Sequence, residues 1–448
     1  MLFRSIYSNP YHSQMVLKLE DLKKHGDLDG VTANKGDNLH RLFYYTAMMV
    51  PITQSQIIEI VSSFLSSPAS AIDPFMGSGT SLMSCMEYGL GVYGQDINPL
   101  AVLLVEAKTA ILDGHRVKKA CDSIRSIISS DPSESMDVSF KGIDKWFTRD
   151  VQVSLSRIRR AILEIPDKEV RSFFWIIMAE VIRIDSNDRT STFKLHQREE
   201  REIASRHSDV IKDFFSLADR GIVDLDFFRG KIENKGFLVG NRYSAPIEVK
   251  WGNSMLGVSS SQKFDILVSS PPYGDNQTTV TYGQHSYLPL QWIPRSELPA
   301  EVDYDFLRTT QEIDSRSLGG RSNKRHVKEL ICSISRRIPS LGSFLARIPL
   351  EEIEKYYKTV SFIADFEQSL QAIIPAMRDN AIYVWTIGNR YVNKREVPND
   401  QILIDLMANH GIPLIFDAER TILNKKQAKR NRSSRTMEKE RILIFQKH

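Results

Sequence analysis

Cysteine is scarce in this sequence: three residues in 448, at Cys85, Cys121 and Cys332. Thiols this far apart supply neither a disulfide framework nor the paired spacing of a zinc site, so no metal ligands are expected. Long apolar runs are missing too. None approaches the ~18 residues of a membrane span. The N-terminal MLFRSIYSNPYHSQ lacks the apolar core and cleavage site of a secretory leader, so the expectation is a cytoplasmic protein with no membrane partner. Charge of one sign is also lacking: 59 Lys+Arg against 55 Asp+Glu leave a net +4. That field is too weak to identify a polyanionic partner, and local clusters must carry any such argument. No internal repeat or low-complexity tract is present. What remains is an ordinary globular composition, 42% hydrophobic and 25% charged, long enough for one large domain with insertions or two to three domains.

Two short stretches organise the chain. In FDILVSSPPYGDN (264–276) an apolar run of strand length stops at Ser270-Pro271-Pro272-Tyr273. Two prolines cannot donate to a ladder, so the chain must leave the sheet there, at the carboxyl end of a strand, where open α/β sheets place their ligands. In ASAIDPFMGSGT (69–80) a short apolar strand ends at Asp73-Pro74-Phe75. Gly77-Ser78-Gly79-Thr80 then turns into a helix starting near Ser81. The dinucleotide pattern would require glycine at position 82, where Leu82 stands, and the G-K-[ST] ending of a P-loop is absent. The turn carries no specific pyrophosphate or triphosphate signal. The next strand, Gly91 to Gln95, leads to Asp96 about 20 residues after the turn, the place of a ribose-binding carboxylate in Rossmann-like sheets.

Together D-P-F-x-G-S-G-T, G-x-D-I-N-P and S-P-P-Y resemble the amino-methylating DNA methyltransferases, the cytosine-N4 and adenine-N6 enzymes, over most of 38–112, 246–292 and 370–448. The resemblance implies an α/β fold: a Rossmann-like, mostly parallel sheet with an antiparallel terminal strand, interrupted by a helical insertion and a basic, loop-rich insertion. It implies S-adenosylmethionine as cofactor, held by the motif residues Asp73, Phe75, Gly77, Gly79, Thr80, Asp96 and Ile97. Thr46 is added from the loop before the glycine turn, and Asn253 and Ser254 from the end of the third strand, where an Asp is frequent in the family. Ser270, Pro271, Pro272 and Tyr273 become the catalytic segment. Serine at the first motif position goes mostly with cytosine-N4 methylation, Asp or Asn mostly with adenine-N6. The carbon-5 cytosine enzymes are excluded, because their nucleophilic cysteine usually follows proline. Here the residues before the cysteines are Ser84, Ala120 and Ile331.

The expected organisation is an N-terminal extension (1–37), broken by Gly26, Gly30 and Gly36; a cofactor-binding half (38–112); a helical insertion (113–245); the S-P-P-Y segment (246–292); a basic insertion (293–355); and a C-terminal part of the catalytic domain (356–448). Clustered guanidinium groups around two glycines suit phosphate contact. Arg316, Arg321, Lys324, Arg325 and Lys328 are therefore candidate DNA-binding residues. So are Lys425, Lys426, Lys429, Arg430 and Arg432 in the connection KKQAKRNRSSR. Because the chain stops just after its last strand, recognition is expected to come from the insertions.

The chemistry follows from the amine. The lone pair of a base's exocyclic nitrogen is delocalised into the ring. Acceptors at Ser270 Oγ and the Pro271 carbonyl would pull that nitrogen towards tetrahedral geometry, so catalysis is positioning and preorganised dipoles. Tyr273 is placed to stack on a base that has left the duplex. The reading is a site-specific cytosine-N4 methyltransferase acting on double-stranded DNA, in a restriction-modification or defence setting with a cognate endonuclease or defence proteins as partners. The alternatives are an adenine-N6 DNA enzyme, an RNA base-amine methyltransferase, or a catalytically inactive module that binds S-adenosylmethionine or DNA.

Overall fold

The structure is a computed structural model and describes residues 10–33, 37–191, 194–321, 324–423 and 437–447. Its centre is a seven-stranded sheet: β1 (Ser70–Asp73), β2 (Gly91–Asp96), β3 (Ile247–Trp251), β4 (Phe264–Ser269), β5 (Met377–Ile387), β6 (Leu414–Thr421) and β7 (Lys439–Gln446). The order across it is β6-β7-β5-β4-β1-β2-β3. Neighbours pair in parallel, except that β7 runs antiparallel between β5 and β6. The reversed strand is thus β7 alone, and the two last strands pair as the sequence predicted.

Alternate residues of the central strands go to opposite faces, as the strand period requires. Ala71, Val92, Ile266, Val268, Val384 and Ile444 enter one buried cluster, and Ile72, Tyr93, Leu267, Tyr383, Trp385 and Leu443 the other. Both faces are therefore covered, which explains why these strands read as apolar runs.

The eleven helices that matter here are α1 (Pro10–His25), α2 (Pro51–Ser62), α3 (Thr80–Met86), α4 (Pro99–Thr109), α5 (Gly114–Ser130), α6 (Arg149–Leu163), α7 (Lys168–Asp185), α8 (Val210–Asn234), α9 (Tyr282–Trp292), α10 (Lys324–Arg337) and α11 (Tyr357–Ile373). Proline opens α2 and α4 at their first turn, where its missing N–H costs nothing. The helical insertion shares a core with the sheet. Helix α7 is buried from Phe173 to Ala179 and touches α4, α6, α8 and α9.

Helix α1, within residues 1–37, was not read from the sequence. Its Met15 and Leu19 are buried, and Gly26 lies just beyond its end. The glycines taken as helix breakers start after the helix rather than interrupting it.

The two connections out of β1 and β4 leave from adjacent strands at the point where strand order reverses, the switch point of an open sheet. The turn out of β1 depends on Gly79. Its φ is +76°, and an added Cβ would lie 2.8 Å from Val105 Cγ2 in α4. Gly79→Ala is expected to lower unfolding free energy by about 1–3 kcal/mol, from left-handed strain plus overpacking. Denaturant titrations should show a smaller loss when the change is made in a Val105→Ala background, since only the strain remains. An equal loss in both backgrounds would mean that α4 does not press on the turn.

Candidate active site

Asp73, the last residue of β1, is fully buried. Its Oδ1 accepts from Ser269 Oγ at 2.6 Å and from the Phe75 N–H at 3.0 Å, and its Oδ2 accepts from Ser81 Oγ. One carboxylate thus ties the end of β4, the residue before Ser270, to the glycine turn and to α3. Burial pushes its pKa up, from the ordinary 3.8 to about 6, against the lowering effect of those hydrogen bonds.

Asp96 ends β2 in a similar state. Its Oδ2 accepts from Gly77 N–H at 2.9 Å and its Oδ1 from Asn98 N–H at 2.8 Å, and burial raises it to about 6. Gly77 has φ +47°, so its amide can turn back towards β2.

Between these elements lies a pocket enclosing about 840 Å³ of empty space, part of it open to solvent, within the range of small-molecule sites. Of the predicted residues, Phe75, Gly77, Thr80, Asp96, Ile97, Asn253, Ser254, Ser270 and Pro272 line it. Asp73 and Gly79 sit behind the wall and shape it. Thr46 lies between the lining residues Tyr45 and Ala47, its Oγ1 buried and without a hydrogen-bond partner among the described residues. Ser254 Oγ donates to the Pro74 carbonyl at 2.5 Å, and Asn253 Oδ1 accepts from Met255 N–H at 3.0 Å.

The S-P-P-Y segment is held from the far edge of the sheet. Tyr273 Oη lies 3.1 Å from Ser270 Oγ and donates to Glu440 Oε1 on β7 at 3.0 Å. Arg420 on β6 donates to the other oxygen of Glu440 at 2.8 Å. Burial raises the Tyr273 hydroxyl well above its usual range, so it stays protonated. Its ring packs against Gly388, where an added Cβ would meet Cε2 at 2.9 Å. The sequence placed Tyr273 as a stacking platform; in the structure its hydroxyl meets Ser270 and Glu440, and it is not among the residues lining the pocket.

Several wall residues were not read from the sequence. Tyr45 and Tyr282 stack with centroids 5.7 Å apart. Asn98 donates to Tyr45 Oη at 3.1 Å and Ser286 Oγ at 2.7 Å while capping α4; it stood inside the quoted D-I-N-P motif. The helical insertion and α9 buttress this side: Glu180 of the insertion accepts from Tyr44 N–H at 3.1 Å, and His285 Nε2 on α9 donates to the Tyr44 carbonyl at 2.8 Å. Ile313, Ser317 and Leu318 close the pocket from the basic insertion.

That insertion departs from expectation. Its diglycine is packed, not flexible: Gly319 N–H donates to Asp365 Oδ2 at 2.7 Å, and a Cβ on Gly320 would meet the Asp314 carbonyl at 2.5 Å. Arg316 is held by Glu312 and Asp303 and is only 18% exposed, which removes it as a ready phosphate contact. Arg321 donates to Glu312 at 3.1 Å. Arg325, 92% exposed, and Lys328, 3.5 Å from Glu354, lie on α10. Lys324 starts that helix. Lys425, Lys426, Lys429, Arg430 and Arg432 lie outside the described residues. Among the described residues no cluster of metal-ligating side chains occurs, and no helix is long and apolar enough to cross a membrane.

A sheet of this order with its last strand reversed, and a pocket at its switch point, is the Rossmann-like methyltransferase fold. Over 439 residues, 95% of this chain and 93% of the relative, the sequence is 29% identical to the Type II methyltransferase M.MvaI of Kocuria varians. A 48-residue stretch, 11% of this chain and 9% of the relative, is 50% identical to the Type II methyltransferase M.MjaII of Methanocaldococcus jannaschii. No protein-family model matches the chain, and no solved structure matches it.

The Asp73 knot has a pH signature. Its folded value of about 6 lies above the ordinary 3.8, so between about pH 4 and 6 the folded chain keeps a proton that the unfolded chain has released. Its contribution to stability therefore falls as pH rises through that window. Asn cannot titrate. The stability of Asp73→Asn relative to wild type should improve by on the order of 2–3 kcal/mol from pH 4 to pH 7. Urea titrations at each pH measure this, and a difference constant across the window would sink the assignment.

Proposed function

We propose that this chain is a site-specific DNA methyltransferase that transfers a methyl group from S-adenosylmethionine to the exocyclic N4 amine of a cytosine flipped out of duplex DNA. The observation that carries the reading is that Ser270 and Pro272, at the end of β4, share one pocket with the glycine turn and Asp96. The likeness to Type II methyltransferases along nearly the whole chain supports it.

The wall fits the cofactor. Asp96 spends one hydrogen bond per oxygen on backbone amides and retains lone pairs for ribose hydroxyls. Thr46 offers an unsatisfied buried hydroxyl beside the wall. Phe75 and Ile97 supply apolar surface, and Asn253 retains its amide N–H groups for the adenine edge. When bound, S-adenosylmethionine supplies a methyl group on a positively charged sulfur, which leaves as a neutral thioether with the electron pair of the broken bond.

The chain's own residues orient the nucleophile. Ser270 Oγ and the Pro271 carbonyl accept the two amine hydrogens and turn the nitrogen lone pair towards the methyl carbon. The amine forms the new N–C bond and releases one proton to water. Tyr273, fixed by Glu440, holds the Ser270 hydroxyl in one orientation. Dipoles set before reaction need no reorganisation during it. Arg321, Arg325 and Lys328 offer exposed cationic groups for backbone phosphates; the basic residues of 425–432, outside the described residues, are candidates by their charge alone.

Two measurements test the reading. Asp96→Ala should weaken S-adenosylmethionine binding by roughly 1.5–3 kcal/mol, the worth of a charge-assisted acceptor; wild-type affinity by calorimetry would remove Asp96 from the site. Ser270→Ala should leave that affinity nearly intact while transfer falls ~10²–10³-fold. Nucleoside mass spectrometry of DNA from a host expressing the protein identifies the product. N6-methyladenine without N4-methylcytosine would overturn the cytosine assignment, and methylated RNA with unmodified DNA would overturn the substrate class.

A further inference from the structure

Three asparagines stand in the pocket wall: Asn98, Asn253 and Asn276. The first two have structural duties, their Oδ1 atoms accepting from Leu100 and Met255 N–H. Asn276 differs. It is 5% exposed, and its Oδ1 is buried with no hydrogen-bond partner among the described residues. A buried acceptor left unpaired costs about 1–3 kcal/mol, and folded proteins rarely keep one without a reason.

The turn presenting Asn276 is rigid. Its neighbour Asp275 is fully buried and faces Arg390 at 3.3 Å and Lys358 at 3.5 Å, and it accepts from Thr278 Oγ1 at 2.5 Å. The space beside Gly274 is filled by Arg390. The carboxamide thus stands on a preorganised platform six residues after Ser270, on the same loop and the same pocket.

We propose that Asn276 is a further catalytic residue: its carboxamide oxygen shares with Ser270 Oγ the amine hydrogen of the target base that points to that side, while the Pro271 carbonyl takes the other. The inference rests on the base-amine reading above. An unpaired acceptor calls for a donor. Asn276 follows Ser270 on the loop out of β4 and lines the same pocket, so the donor it would meet on the base-amine reading is the amine. The neighbouring wall of Pro272, Ile313 and Leu318 is apolar, so the polar group fixes the orientation of a ring held by non-polar contact.

The test is a cycle between the side chain and the amine. Duplexes carrying the mapped recognition site are prepared with cytosine, or with 2-pyrimidinone, at the target position; the latter has hydrogen in place of the amino group. Binding is measured with the enzyme saturated with S-adenosylhomocysteine. Asn276→Ala should weaken the cytosine duplex roughly tenfold and leave the 2-pyrimidinone duplex unchanged. Single-turnover transfer should fall by about 10²-fold or more. Asn276→Asp, which keeps an acceptor in place, should retain the preference for cytosine, and it carries the comparison if the alanine variant does not fold. Equal weakening of both duplexes, loss of the preference in the Asp variant, or weakened S-adenosylhomocysteine binding by calorimetry would overturn the proposal. If wild-type enzyme makes no N4-methylcytosine the functional reading fails. If it does, and the cycle shows no coupling, this inference fails alone.

Discussion

The site depends on one buried carboxylate with three donors around it. Asp73 receives the hydroxyls of Ser269 and Ser81 and the amide of Phe75, and these belong to three different elements. Parallel pairing fixes β1 against β4 only through Ala71 and Ile72; beyond those residues the ladder no longer holds the chains together. Asp73 takes over at that point, and both the glycine turn and the proline pair emerge from atoms it holds. A group of this kind is costly to bury, as its raised pKa records, and the cost is offset only while every donor is in place.

Around that knot, two remote parts of the chain hold the walls. The helical insertion through Glu180 and α9 through His285 fix the loop before the glycine turn, and the terminal strand pair fixes Ser270 through Glu440 and Tyr273. Burial shifts the surrounding titratable groups as well: His285 is pushed down to about 4 and stays neutral at physiological pH. Asp314, which accepts from Gly283 and Gln284 N–H at the start of α9, is pushed up to about 7. The pocket is preorganised by contacts that come from outside the motifs.

The parts legible in sequence are those that the local chain dictates. Paired prolines must end β4, a left-handed Gly79 must turn β1 into α3, and alternate apolar residues must divide between two faces. Partnership was not legible. Nothing in S-S-P-P-Y says that Ser269 faces Asp73 or that Tyr273 turns to Glu440, 167 residues away. The basic stretch 316–328 showed its charge but not Glu312, which holds Arg316 and Arg321. Helix α1 was passed over because its buried side is narrow and its sequence mostly polar. Asn276 carried no signal beyond its nearness to the motif; its unpaired oxygen exists only once Asp275 and Arg390 have met.

The placement of β7 has a consequence for how the molecule is made. The last strand in sequence lies inside the sheet, between β5 and β6, so the order of synthesis and the order of assembly conflict. Until residues 439–446 leave the ribosome, β5 presents an open edge and β6 has no partner in the sheet, the exposed ladder that invites pairing between chains. The core around β1, β2 and β4 can form earlier, but Ser270 then lacks the brace that reaches it from Glu440. Bracing of Ser270 through Tyr273 therefore waits for Glu440, and a chain cut before residue 439 would carry an unbraced loop after β4 and an adhesive edge on β5.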